Sequence, residues 1–207
     1  RKDKDLGWLS IERKPGEFAG IKTVSVRVAT NIHLEQGRLD SLAEYHRPLT
    51  TPVGESWNVR STWRPSEPRQ PARTSVEIGT GGTGSIEVRF DGTEGVELPA
   101  PKNFERPTKG YLSQGLAWML PQLLPRDTAA EYGFYTYVSD LRDFAYRTDR
   151  VTPALDGFVI TTRLHPNAPE LRAKYDKDGV MLEKQLGGGQ RLVKTDLKTL
   201  QSIWRGR

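Results

Sequence analysis

The chain contains no cysteine, so a disulfide framework, a thiolate metal site and a cysteine nucleophile are excluded together. It also lacks any apolar run near the ~20 residues that cross a bilayer as a helix; the longest, Leu116-Ala-Trp-Met-Leu120, stops at Pro121. Histidine is scarce. His33, His46 and His165 lie far apart, none in His-x-x-x-His or Glu-x-x-His spacing, so no local metal motif forms and no metal or other cofactor is expected. There is no Gly-x-Ser-x-Gly elbow to present a hydrolase serine. A block of one charge sign is missing too: 31 Lys and Arg against 26 Asp and Glu give +5, but the charges interleave, as in Arg142-Asp143 and Lys174-Tyr175-Asp176-Lys177-Asp178. That describes a solvated mixed-charge surface, so no nucleic-acid partner is expected. The chain begins at Arg1 without a signal peptide, which suggests a processed or truncated chain whose targeting segment has been removed.

What is present points to β-structure. At 207 residues, with five Trp and seven Tyr, the chain can bury a real core and is expected to form a single antiparallel β domain over residues 1–207. Residues 21–34 alternate with period two, Val24, Val26 and Val28 on one face and Thr23, Ser25 and Arg27 on the other, which predicts a long half-buried strand. Residues 39–47 give its partner, and residues 56–63 another strand with Trp57, Val59 and Trp63 inward. Pro65, Pro68 and Pro71 mark a surface connection. Residues 74–78 and 85–90 are two short strands flanking Gly79-Thr-Gly-Gly-Thr-Gly84. Residues 97–107 are proline-rich and aperiodic. Further strands follow at 132–138, 144–148, 158–164, 171–175, 180–186 and 191–194, with Asp176-Lys-Asp-Gly179 as a hairpin turn, Gly187 to Gly189 as another, and a short terminal helix over 197–204.

One central apolar helix is expected at about 109–124. Leu112, Leu116, Met119 or Leu120, and Leu123 recur at helical spacing, Thr108 can cap the start, and Pro121 and Pro125 limit the end. A bent sheet plugged by this helix leaves a cavity lined by Leu112, Leu116, Trp118 and Met119, with Tyr135 and Tyr137 from the sheet, suited to an apolar ligand.

The chemical motifs have duller explanations. The glycine run lacks the following helix and the Lys-Ser or Lys-Thr of a phosphate loop, and reads as a flexible hairpin. Ser113 sits on the expected helix without a partnering His. Glu94 with Glu97, and Asp140 with Asp143, are carboxylate pairs of a common surface kind. Asp176-Lys-Asp lacks the later ligands of a calcium loop. Tyr132, Phe134, Tyr135, Tyr137, Phe144 and Tyr146, beside Arg142 and Arg147, suit stacking on bases or sugars but equally the core of a curved sheet. No catalytic residue is assigned.

The order of long strands, Pro-rich stretch, central apolar helix and paired strands carrying Tyr175-Asp-Lys-Asp-Gly-Val-Met-Leu-Glu183 resembles uncharacterised bacterial envelope β-proteins. These are similar in layout to periplasmic lipoprotein carriers and lipid-binding lipoproteins, in which a bent antiparallel sheet forms an unclosed barrel around helices. The resemblance implies a periplasmic or secreted location and binding of an acyl chain, and it carries no functional residue across. The expectation is therefore a mainly β (α+β) fold: a bent antiparallel half-barrel or open barrel with one central apolar helix. It would serve as a non-enzymatic envelope protein that holds a hydrophobic or lipid ligand, or as a structural or accessory module with a protein partner. The alternative is a carbohydrate-binding module or hydrolase-like enzyme using acidic and aromatic residues on the concave face.

Overall fold

Valine on alternate positions is what a strand with one buried face requires, and the segment read that way is β2, Ile21–Leu34. The computed structural model describes residues 5–18, 20–48, 54–93, 97–186 and 189–204; Glu94 and Gly187 to Gly188, named above, lie outside them. The fold is mainly β, built of two antiparallel sheets that do not close. By internal contacts the chain forms two compact units, Arg1–Thr108 with Ser113–Leu116, and Lys109–Leu112 with Ala117–Arg207.

The first unit is a seven-stranded meander in sequence order: β1 (Gly7–Phe18), β2, β3 (Gly37–Pro48), β4 (Glu55–Pro65), β5 (Arg73–Gly81), β6 (Ser85–Gly92) and β7 (Lys102–Glu105). The register puts Val26, Tyr45, Trp57, Gly79 and Val88 in one row across five strands. Each of these side chains but the glycine is at most 8 % exposed, and Val28, Ala43 and Ile86 extend the same buried face. The strands β1 and β7 have no counterpart among the sequence expectations. Pro15 interrupts the alternation of β1, and an edge strand, with one side unpaired, tolerates that proline. In β7, four residues are too few to set a period.

The second unit is a six-stranded meander: β8 (Ala130–Val138), β9 (Asp143–Ala154), β10 (Gly157–Arg163), β11 (Leu171–Asp176), β12 (Met181–Gln185) and β13 (Arg191–Val193). Its central row runs Ala130, Val151, Ile160, Ala173, then Lys184 and Leu192. Val151, Ile160 and Ala173 are buried, as is neighbouring Phe158, which stacks on Tyr175 with centroids 5.2 Å apart. The β11–β12 turn forms as its Asp-Gly predicts: Asp176 Oδ1 accepts from the N–H groups of Asp178 and Val180, and Gly179 takes φ +77°, where a side chain would be strained. Tyr111 forms a parallel bridge to Tyr135 beside the edge strand β8, with Leu112 N–H donating to Tyr135 O and Tyr135 N–H to Gly110 O.

The single helix expected at 109–124 is corrected by the structure. Two one-turn helices stand there instead, α1 (Gln114–Ala117) and α2 (Leu120–Leu123). Proline lacks an N–H and clashes with the preceding turn, so it fits only the first turn of a helix. The helix must therefore restart just before Pro121, which sits in the first turn of α2. The cap is Ser113, not Thr108: its Oγ accepts from the Leu116 N–H at 3.3 Å, three residues into the turn. A third helix, α3 (Leu197–Trp204), lies where expected and is capped by Asp196, whose carboxylate accepts from the N–H and the hydroxyl of Thr199.

Candidate functional site

The six residues expected to line a ligand cavity fall in different environments. Leu112 and Tyr137 are buried, at 4 % and 2 % exposure, whereas Tyr135 is 43 % exposed; Leu116, Trp118 and Met119 are partly exposed. Leu116 belongs to the first unit and the other five to the second. Within the second unit, Leu112 is brought to Tyr135 by its backbone hydrogen bond, and Tyr137 meets Phe144 edge-on at 6.3 Å. Tyr135 packs edge-on against Tyr146 at 5.2 Å. Both rings stand half exposed, and Gly133 leaves the space that Tyr146 occupies.

A buried ion pair in the second unit lies on the face of the sheet that holds Val151 and Ile160. Asp149 on β9 is fully buried. The Arg147 guanidinium, two residues back on the same strand face, donates to it from Nε at 2.7 Å and Nη2 at 2.9 Å. Thr162, directly across on β10, donates its hydroxyl to the same carboxylate. Charge-assisted bidentate pairs of this kind are short and strong, and without them a buried carboxylate is prohibitively costly. Lys184 on β12 lies on the same face of the sheet, in the row of Ala173, Ile160 and Val151. Burial, then the positive charge of Arg147, lower its pKa below the ordinary 10.5, with Asp149 pulling the other way. Among the described residues Lys184 makes no ion pair. Sequence reasoning missed this cluster because Arg147 and Asp149 join Thr162 only through strand register.

Asp40, Ser25 and Glu55 each have a polar partner of their own. On β3, Asp40 accepts from Arg38 Nε and Arg64 Nε, each at 3.1 Å, and from Asn31 Nδ2. Ser25 Oγ and His46 Nδ1 lie 2.9 Å apart across β2 and β3, a contact that the sequence did not signal. A serine nucleophile also needs N–H donors aimed at the developing oxyanion, and the strands around Ser25 are paired on both sides, with β1 and with β3. Buried Glu55 accepts from the Gln114 N–H at 3.1 Å. A shallow cleft of about 300 Å³ is lined by Arg126, Asp127, Pro153, Phe158 and Lys177 among others, with the guanidinium of Arg126 5.8 Å above the Phe158 ring. Asp127 is its single carboxylate, so no acid-base pair converges there. Among the described residues no group of three His, Asp or Glu is placed to hold a metal ion.

The glycine run serves packing. A Cβ on Gly79 would lie 2.0 Å from the Trp57 indole, and one on Gly81 would lie 2.9 Å from the Glu55 side chain. The turn itself is residues 82–84, closed by Gly82 N–H donating to Ser85 O at 2.8 Å.

Among the described residues no helix is long and apolar enough to cross a membrane. No protein-family model matches the chain, and neither a curated protein nor a solved structure matches it.

Proposed function

We propose that this chain is a non-enzymatic module of the bacterial cell envelope, periplasmic or secreted, that works by holding a hydrophobic or lipid ligand. The observation that carries the proposal is where apolar side chains meet solvent. Of eleven large hydrophobic residues that stand exposed among those described, nine belong to the second unit: Leu123, Tyr135, Leu141, Tyr146, Leu155, Val180, Leu182, Val193 and Leu197; the first unit has Ile21 and Leu34. Isolated exposed apolar residues are ordinary and contiguous ones mark binding surface; of the nine, Tyr135 and Tyr146 are in contact, edge-on at 5.2 Å. Support also comes from the networks around Asp40 and Asp149, in which the carboxylate is held by arginine and by a neighbouring polar side chain.

The burial of Leu112 and Tyr137 favours a ligand seated on the exposed apolar surface of the second unit over one enclosed around the short helices. The alternative is an accessory module, in which a protein partner covers the same surface. Native mass spectrometry of the gently purified full chain, followed by lipid extraction, tests the proposal: a lipid bound at fixed stoichiometry supports it, and a clean apo mass with no binding of an apolar fluorescent probe overturns it.

A further inference from the structure

We infer that α3 docks on the surface of an anionic phospholipid bilayer, its leucine and isoleucine side chains entering the interface and its basic flanks meeting the headgroups. The helix is two turns long and capped within its own segment. The Asp196 carboxylate accepts from the N–H and the hydroxyl of Thr199, and Leu200 N–H donates to Asp196 O at 3.0 Å. Leu197, Leu200 and Ile203 recur at i, i+3 and i+6, which gathers them in an arc of ~120°. Lys198, Thr199, Gln201 and Ser202 occupy the opposite side of the helix.

This apolar arc is not folded away. Leu197 is 68 % exposed, Leu200 and Ile203 are only partly covered, and no described side chain of α3 is buried. Val193, four residues before the helix, is 60 % exposed as well. Most helices in proteins draw their stability from packing an amphipathic face, and here that burial is left unrealised.

Charge decides what covers the arc. Residues 191–207 hold Arg191, Lys194, Lys198, Arg205 and Arg207 against the single acid Asp196, a net +4. The whole chain carries +5, so the remainder is nearly neutral at +1. Lys194 reaches Asp176 at 3.9 Å in a half-exposed pair, a kind that contributes little and is given up readily. An apolar stripe with basic flanks is the pattern of helices that lie in the plane of an anionic bilayer, where the stripe enters the acyl boundary and the cations meet lipid phosphates. A nucleic acid would use the charge and leave the leucines in water.

The inference goes beyond the holding of a ligand, since it concerns the surface on which the protein sits and does not use Tyr135 or Tyr146. Its test is cosedimentation of the full chain with vesicles of phosphatidylcholine alone and of phosphatidylcholine mixed equally with phosphatidylglycerol. The wild type and Leu34→Gln, which alters an exposed leucine of the first unit, are expected to bind the anionic vesicles alike and to release them as salt is raised. Lys198→Gln is expected to bind about fivefold more weakly, the effect of one cation near such a surface. Leu197→Gln with Ile203→Gln is expected to lose at least about tenfold, as two apolar side chains no longer leave water. The double variant keeps both tyrosines and is expected to take up an apolar probe as the wild type does, so failure here and failure of the ligand proposal are read separately.

No binding to anionic vesicles, equal binding to both compositions, or a double variant that binds like the wild type overturns the inference. So does binding to duplex DNA by a chain that ignores vesicles, which assigns the charge to nucleic acid. Should the double variant fail to fold, a dye decides: the chain has no cysteine, so Leu197→Cys carries a single environment-sensitive label. Its emission is expected to shift to the blue on anionic vesicles while the same label on Leu34→Cys does not, and an unchanged emission at position 197 contradicts the docking.

Discussion

The indole of Trp57 lies against Gly79, so close that a Cβ on the glycine would sit 2.0 Å from the ring. The two are directly paired across β4 and β5, and Trp57 also donates its Nε1 hydrogen to Glu77 at 2.9 Å. Gly79→Ala must therefore displace a fully buried tryptophan, and overpacking of this kind costs about 3 kcal/mol. Gly84, three residues from the end of the same sheet pairing, has open space around it and no positive φ, and Gly84→Ala is expected to change stability by less than ~0.5 kcal/mol. Urea denaturation of the two variants checks the contrast.

Gly133 offers a graded comparison. Its Cβ would meet the Tyr146 hydroxyl and ring, but that ring is 46 % exposed and swings away into solvent. Gly133→Ala is expected to cost about 1 kcal/mol, less than Gly79→Ala, and to raise Tyr146 accessibility in nitration measurements.

Breaking the buried pair tests the second sheet. Asp149→Asn leaves the Arg147 guanidinium without its counter-charge, at an expected cost of about 4 kcal/mol, whereas Arg147→Met with Asp149→Leu together recovers most of that loss. Chemical denaturation of the single and double variants measures the coupling.

Lys184 gives a pH dependence with a definite sign. Its folded pKa lies below 10.5, so between the folded and unfolded values the unfolded chain binds more protons and stability rises with pH. Below the folded value the full penalty applies. Lys184→Met is expected to stabilise the protein at neutral pH by roughly 1 kcal/mol, and the difference is expected to shrink as pH approaches 10.5. Asp40 gives the same sign, since its folded pKa is also lowered, but here a stabilisation is gained as pH rises and not a penalty relieved. Burial raises its pKa, but hydrogen bonds from Arg64 and Asn31 and the charge of Arg38 outweigh that, leaving it below 3.8. Its contribution is present above that value and lost as pH falls through the lowered folded pKa; being partly solvated, it is worth under ~1 kcal/mol, as acid titration of Asp40→Asn would show.

Much of the sheet structure was legible in the sequence, since strand alternation and Asp-Gly turn chemistry are local. Val24, Val26 and Val28 announce β2, and Asp176 to Gly179 announce the β11–β12 hairpin. The helix forecast failed where two local rules compete: leucines at helical spacing run through 112–123, but Pro121 forces a restart that spacing alone does not reveal. The polar clusters were illegible for a different reason. Asp149 meets Thr162 only because strand register aligns β9 and β10, and Ser25 meets His46 only across β2 and β3. Register is set by packing and turn length over the whole sheet, and no single window of sequence contains it.

The most direct test of the binding proposal is the mass of the full chain, purified without detergent and measured under native conditions, with its extract analysed for lipid. The account predicts a bound hydrophobic ligand at one stoichiometry, reduced when Tyr135 and Tyr146 are replaced by serine. An apo mass throughout, with no uptake of an apolar probe, would contradict it.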